Sequence, residues 1–139
     1  IKDGRARNFR ITDAAMNDFV RPMLYNAHHA IIPVKAPPPD AVLKEVEVVG
    51  PVCETGDTFG KPRPLPEIRA GDLLAIRTAG AYGAVMASTY NTRPLVPEVM
   101  VRGGAYAVIR ERIAVDDMLA RETLPDWLTD EGSVRKAGE

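Results

Sequence analysis

The chain of 139 residues carries 18 basic and 19 acidic side chains, for a formal net charge of -1, and 45% of it is hydrophobic. That balance supplies no bulk positive field for nucleic acid or an anionic membrane, no apolar run approaches the roughly 20 residues that span a bilayer, and one domain is the default at this length. A single cysteine, Cys53, excludes an internal disulfide and fits a reducing cytoplasm better than secretion.

The chain opens on Ile1 rather than Met and enters an alternating stretch over 5–12, which reads as a cut rather than an initiation. Period-2 alternation of apolar and polar residues predicts strands over 9–13, 30–34, 42–49, 73–77, 83–88, 99–101 and 106–113, separated by Gly, Pro and Asp. Short strands at that spacing predict a mainly β domain, a sandwich or a Greek-key, barrel-like arrangement. Helical signal is thin. Residues 16–25 contain Pro22 and allow a turn or two, and 115–122 show apolar residues at helical spacing behind the acidic pair Asp116 and Asp117, which suits a helix N-terminal turn.

Twelve prolines lie mostly between these strands. The run Ala36-Pro37-Pro38-Pro39-Asp40 is a stiff exposed connection, and 56–70 reads as one long loop. The domain is expected over 1–125, with a loosely ordered tail over 126–139.

Cys53 stands where a strand runs out into Cys53-Glu54-Thr55-Gly56-Asp57. A lone cysteine is commonly an inert buried hydrophobe, but a following carboxylate and turn present it to solvent. Two neighbouring acids do not favour a thiolate, so a thiol that gives up a proton is the more natural reading. Gly80-Ala81-Tyr82-Gly83 reads as a tight reversal with Tyr82 at its tip, its phenol free to meet a phosphate or carboxylate oxygen, or as a plain hairpin with a packed aromatic. Arg21 and Tyr25 stand four apart and share a face if the segment is helical, which suits a carboxylate clamp as well as a solvated Arg beside a half-buried Tyr. Tyr90-Asn91-Thr92-Arg93-Pro94 adds polar groups in a turn. His28 and His29, adjacent and without a second ligand pair, do not suggest a metal.

No phosphate loop, dinucleotide fingerprint or nucleophile elbow is present. Yet DAAMNDFVRPMLYNAHH, VVGPVCETGDTFGK, GDLLAIRTAGAYG, YNTRP and RERIAVDDMLARE, in that order, resemble the C-terminal portion of the diaminopimelate decarboxylases, pyridoxal-phosphate (PLP) enzymes that join a (β/α)8 barrel to a β-rich domain. The glutamate after the cysteine, where related ornithine decarboxylases carry aspartate, is the most telling position.

The resemblance implies that Cys53 and Glu54 reach into the active site of the other subunit of a homodimer. There Glu54 would bind the distal ammonium of meso-diaminopimelate, and Cys53 would help protonate the carbon that loses carbon dioxide. It also implies that Arg21 and Tyr25 hold the distal carboxylate and that Tyr82 contacts the substrate and the PLP in the partner's site. A barrel of that kind takes about 250 residues, so the Schiff-base lysine and the phosphate loop are expected outside this chain, which alone should be inactive. Alternatives are decarboxylation of ornithine, arginine or carboxynorspermidine, or a stand-alone β-domain for dimerisation or ligand binding.

Overall fold

The computed structural model describes residues 1–129. They fall into two compact units, one over Ile1–Leu95 and a second that starts at Val96. In chain order the first holds β1 (Lys2–Asp3), β2 (Asn8–Ile11), α1 (Arg21–Tyr25), β3 (Ile31–Pro33), β4 (Lys44–Val49), β5 (Arg63–Leu65), β6 (Leu74–Ile76), α2 (Gly80–Met86) and a 3-10 turn at Tyr90–Thr92.

Two sheets bury one core between them. The larger runs β1-β2-β4-β5, with β2 parallel to β4 and the outer pairs antiparallel; the smaller is the antiparallel pair β3 and β6. Alternation along β4 turns Val46 and Val48 inward, where they meet Phe19, Ile31, Phe59 and Leu65, flanked by Leu74 and Ile76. On the opposite face of β4 the buried Glu47 is gripped by two nitrogens of the Arg7 guanidinium. Arg63 reaches under the core and donates to the carbonyls of His29 (2.7 Å) and Phe59 (2.6 Å). Burial pulls its guanidinium below the ordinary arginine value, and those carbonyls offset the cost of desolvating it.

The second unit holds the antiparallel hairpin of β7 (Glu98–Arg102) and β8 (Ala105–Arg110), then α3 (Val115–Leu119) and α4 (Asp126–Thr129). Gly103, at φ +59°, turns the hairpin. Arg110 and Glu98 pair across its open end at 2.9 Å. Asp116 and Asp117 occupy the first turn of α3, where Asp117 accepts the Ala114 amide at 3.3 Å.

The mainly β expectation holds, but the described strands form three small sheets and no closed barrel. Strands of two to six residues, with Pro33 ending one and Pro64 inside another, leave too few paired donors for closure. Three expectations are corrected. Residues 83–88 are not a strand and 80–83 not a hairpin tip: α2 covers 80–86, and 87–88 follow it outside any strand. Alanine and methionine favour helix there, and the apparent alternation was too short to separate the two periods. The long loop expected over 56–70 contains β5, tolerated with Pro64 because it forms an edge of the sheet. His28 and His29 lie outside any strand; the buried His29 packs edge-on to Phe19 at 4.5 Å, while His28 is exposed. Most of the tail expected after 125 lies outside the described residues, and Asp126–Thr129 is a helical turn. No helix among the described residues is long and apolar enough to cross a membrane.

Phe59 is 1% exposed at the centre of this core. Phe59→Ala should destabilise the protein by roughly 3–5 kcal/mol, read as a lower urea midpoint at unchanged slope; an unmoved midpoint would remove Phe59 from the centre of the core.

Candidate functional site

Arg21 begins α1 and Tyr25 ends it. Pro22 sits in the first turn, where its fixed φ suits a helix start and its missing N–H costs nothing. Asn26, at φ 52°, stops the helix in the left-handed conformation. The five residues suffice to bring Arg21 onto the Tyr25 ring, its guanidinium carbon 5.7 Å from the ring centroid. The same guanidinium lies 5.0 Å from the centroid of Tyr82, which α2 contributes from a distant point in the sequence. Three candidate side chains thus share one cluster. Tyr25 and Tyr82 remain 59% and 61% exposed, so both phenol rings are open to solvent beside the guanidinium.

Cys53 and Glu54 occupy the loop after β4, and both are exposed. The loop is shaped from inside by Asp57, buried at 5%, whose carboxylate accepts the amides of Val52 and Met16, each at 2.7 Å. Gly50 donates to the Asp57 carbonyl and Asp57 to that of Glu54, closing a turn that displays the Cys-Glu pair. Asp57 is therefore engaged inward, and Glu54 is the carboxylate next to the thiol that stays exposed. The Asn91 side-chain amide donates to Cys53 Sγ at 3.6 Å.

Residues 13–19 join these parts. Met16 holds the Cys-Glu loop through Asp57. Asn17 Oδ1 accepts Arg93 Nε at 2.8 Å, Asp18 pairs with Arg93 at 3.5 Å, and the Asp13 carbonyl accepts the same guanidinium. Phe19 lies against Gly83 in the middle of α2. Met23 of α1 abuts Gly56 of the Cys-Glu loop. Arg93, its side chain 30% exposed, is accordingly a latch between segments rather than a free surface arginine. Its role and those of Asp57 and Asn91 were not read from sequence; the polar run 90–94 was the signal available.

A cleft of about 440 Å³ lies elsewhere, between β2 and residues 68–76, and none of Arg21, Tyr25, Cys53, Glu54 or Tyr82 lines it. A recess of about 200 Å³ is lined by Met16, Asn17, Val20, Met86, Ser88 and Tyr90, beside the latch.

Residues 1–80 match the family described as pyridoxal-dependent decarboxylase, C-terminal sheet domain. The chain belongs to that family. It is 52% identical over 128 residues to the diaminopimelate decarboxylase of Zymomonas mobilis, covering 92% of this chain and 30% of that protein. A crystal structure of the M. jannaschii diaminopimelate decarboxylase in complex with L-lysine superposes with a TM-score of 0.84 at 36% identity, over 91% of this chain and 29% of that one. The Helicobacter pylori diaminopimelate decarboxylase complexed with L-lysine gives 0.78 at 43% identity, over 87% and 29%. The chain thus spans about 30% of the length of the curated relatives it matches.

Within this decarboxylase sheet domain two glycines should respond oppositely to alanine. A Cβ at Gly50 falls 2.3 Å from Asp57 Oδ2, which two amides hold in place, whereas one at Gly83 meets Phe19 at an ordinary 3.6 Å. Gly50→Ala should cost about 2 kcal/mol or more, and Gly83→Ala should be neutral or stabilising by up to about 1 kcal/mol. Thermal unfolding of both variants checks this, and equal effects would contradict the loop geometry.

Proposed function

We propose that this chain is the C-terminal part of a PLP-dependent decarboxylase that converts meso-2,6-diaminopimelate to L-lysine and carbon dioxide. It would supply substrate-binding and proton-donating groups at a homodimer interface. The observation that carries the reading is the Arg21 guanidinium held against the rings of both Tyr25 and Tyr82, with the phenols exposed. A guanidinium beside two exposed phenols suits a carboxylate. Relatives of 44% to 52% identity that carry the name diaminopimelate decarboxylase support the choice of substrate.

Roles follow from chemistry and exposure. Arg21 and Tyr25 bind the distal carboxylate, and Glu54 binds the ammonium on the same carbon, so a zwitterionic terminus is recognised by two opposite charges. Cys53 delivers a proton to the carbon that loses carbon dioxide. PLP, when bound, supplies the sink for the electron pair left by decarboxylation. Tyr82 fits that group: its phenol is exposed and a cation lies on its ring, an arrangement suited to an anionic oxygen. The Schiff-base lysine and the phosphate loop belong to a preceding barrel, and the setting is cytoplasmic.

A stand-alone β-domain is the less supported reading, because large apolar residues such as Ile11, Val34, Val42, Leu43 and Leu73 lie exposed in the first unit. A domain that works alone rarely leaves so much apolar surface in water.

In the full-length protein, Arg21→Ala should lower kcat/KM for diaminopimelate by about 100-fold or more, as expected when a charge pair loses one partner. Glu54→Asp should shift preference away from diaminopimelate toward a simple diamine acid such as ornithine. Unchanged kcat/KM in both variants, measured by lysine and carbon dioxide release, would overturn the assignment.

A further inference from the structure

The proton-donating role of Cys53 leaves open what aims its sulfur. We propose that Asn91 is a positioning residue for Cys53, its side-chain amide fixing the sulfur and strengthening its hold as the proton departs. This inference rests on the reading of Cys53 as proton donor.

The geometry begins with the contact itself: Asn91 Nδ2 stands 3.6 Å from Cys53 Sγ, although 38 residues separate them. An N–H donor occupies a sulfur lone pair and leaves the S–H bond free to point elsewhere. The backbone beneath Asn91 is unusual as well. Asn91 and Thr92 lie at φ 57° and 55°, two successive left-handed residues. Asparagine tolerates that region, but a β-branched threonine there is a true outlier. Such strain persists only where the surroundings enforce it. Here they do, since the next residue, Arg93, is latched to Asp13, Asn17 and Asp18. The same segment holds the Cys53 loop through Met16 and Asp57. Donor and acceptor are thus mounted on one support, and the strained turn presents the amide to the thiol.

The chemistry gives the contact a direction. When Cys53 donates, its S–H bond breaks and a C–H bond forms with the electron pair left by loss of carbon dioxide. The thiolate then recovers a proton from water before the next turnover. A hydrogen bond to a neutral thiol is weak, and one to sulfur that is gaining negative charge is stronger. Asn91 therefore stabilises the reacting arrangement more than the resting one, which raises kcat rather than tightening substrate binding.

The test is a double-mutant cycle in the full-length enzyme, reading kcat, KM and the solvent deuterium isotope effect on kcat. Asn91→Asp keeps the size and the tolerance of left-handed backbone but removes the donor; Asn91→Gly keeps the backbone and removes the side chain. Each should lower kcat by about tenfold at nearly constant KM and enlarge the isotope effect, with the unfolding midpoint little changed. In a Cys53→Ala background neither should lower kcat further, because the group it acts through is gone. Equal losses in both backgrounds would make Asn91 merely structural and overturn the inference while leaving Cys53 as the donor. Loss in Asn91→Asp but not in Asn91→Gly would trace the effect to the added charge and likewise overturn it. Full kcat in Cys53→Ala alone would overturn the donor role and this inference together.

Discussion

The hydrogen bond from the Met16 amide to the buried Asp57 carboxylate is the contact on which the site depends. Asp57 belongs to the loop that displays Cys53 and Glu54, and Met16 to the segment from which α1 departs with Arg21 and Tyr25. One carboxylate thus holds together two stretches of chain about forty residues apart. A buried carboxylate is costly unless its oxygens are satisfied, and here each oxygen takes one backbone amide at 2.7 Å, from Met16 and Val52. Gly50 is bound to the same arrangement, because the space a Cβ would need is filled by those oxygens.

Residues 13–19 extend that constraint outward. Their polar side chains hold Arg93 and so fix the turn that carries Asn91. Their aromatic end, Phe19, supports both His29 and the backbone of α2, from which Tyr82 reaches Arg21. The candidate groups come from short, irregular pieces, while the regular strands supply the core that carries them. That division follows from chain geometry: strands of three to six residues can bury valines, but only turns and single helical turns can aim several long side chains outward from one place.

What the sequence made legible follows the same division. Strands β2, β3, β4, β6, β7 and β8 announce themselves by alternation of residue type, although β7 and β8 lie largely exposed. β1 and β5 do not: one has two residues and the other a central proline, and neither carries enough of a period to be seen. α2 was misread because a seven-residue helix with one small face mimics alternation. The pairing of Arg21 with Tyr25 was open to a reading by spacing, whereas Tyr82 on the same guanidinium was not, because no local pattern encodes a contact across sixty residues. The latch of Arg93 escaped for the same reason.

The exposure of the site completes the physical picture. An ion pair formed by a guanidinium at a protein surface contributes little, because water competes for both partners and screens them. The same pair gains strength when low-dielectric walls close around it. Tyr25 and Tyr82 stand more than half exposed beside Arg21, so this surface lacks the dry surroundings that would strengthen an ion pair formed there. On the proposed reading those surroundings come from the barrel and from the partner subunit, whose closure over the clamp would switch on its electrostatics. The sheet domain contributes aim rather than affinity, and a substrate terminus would bind tightly only where assembly has removed the water.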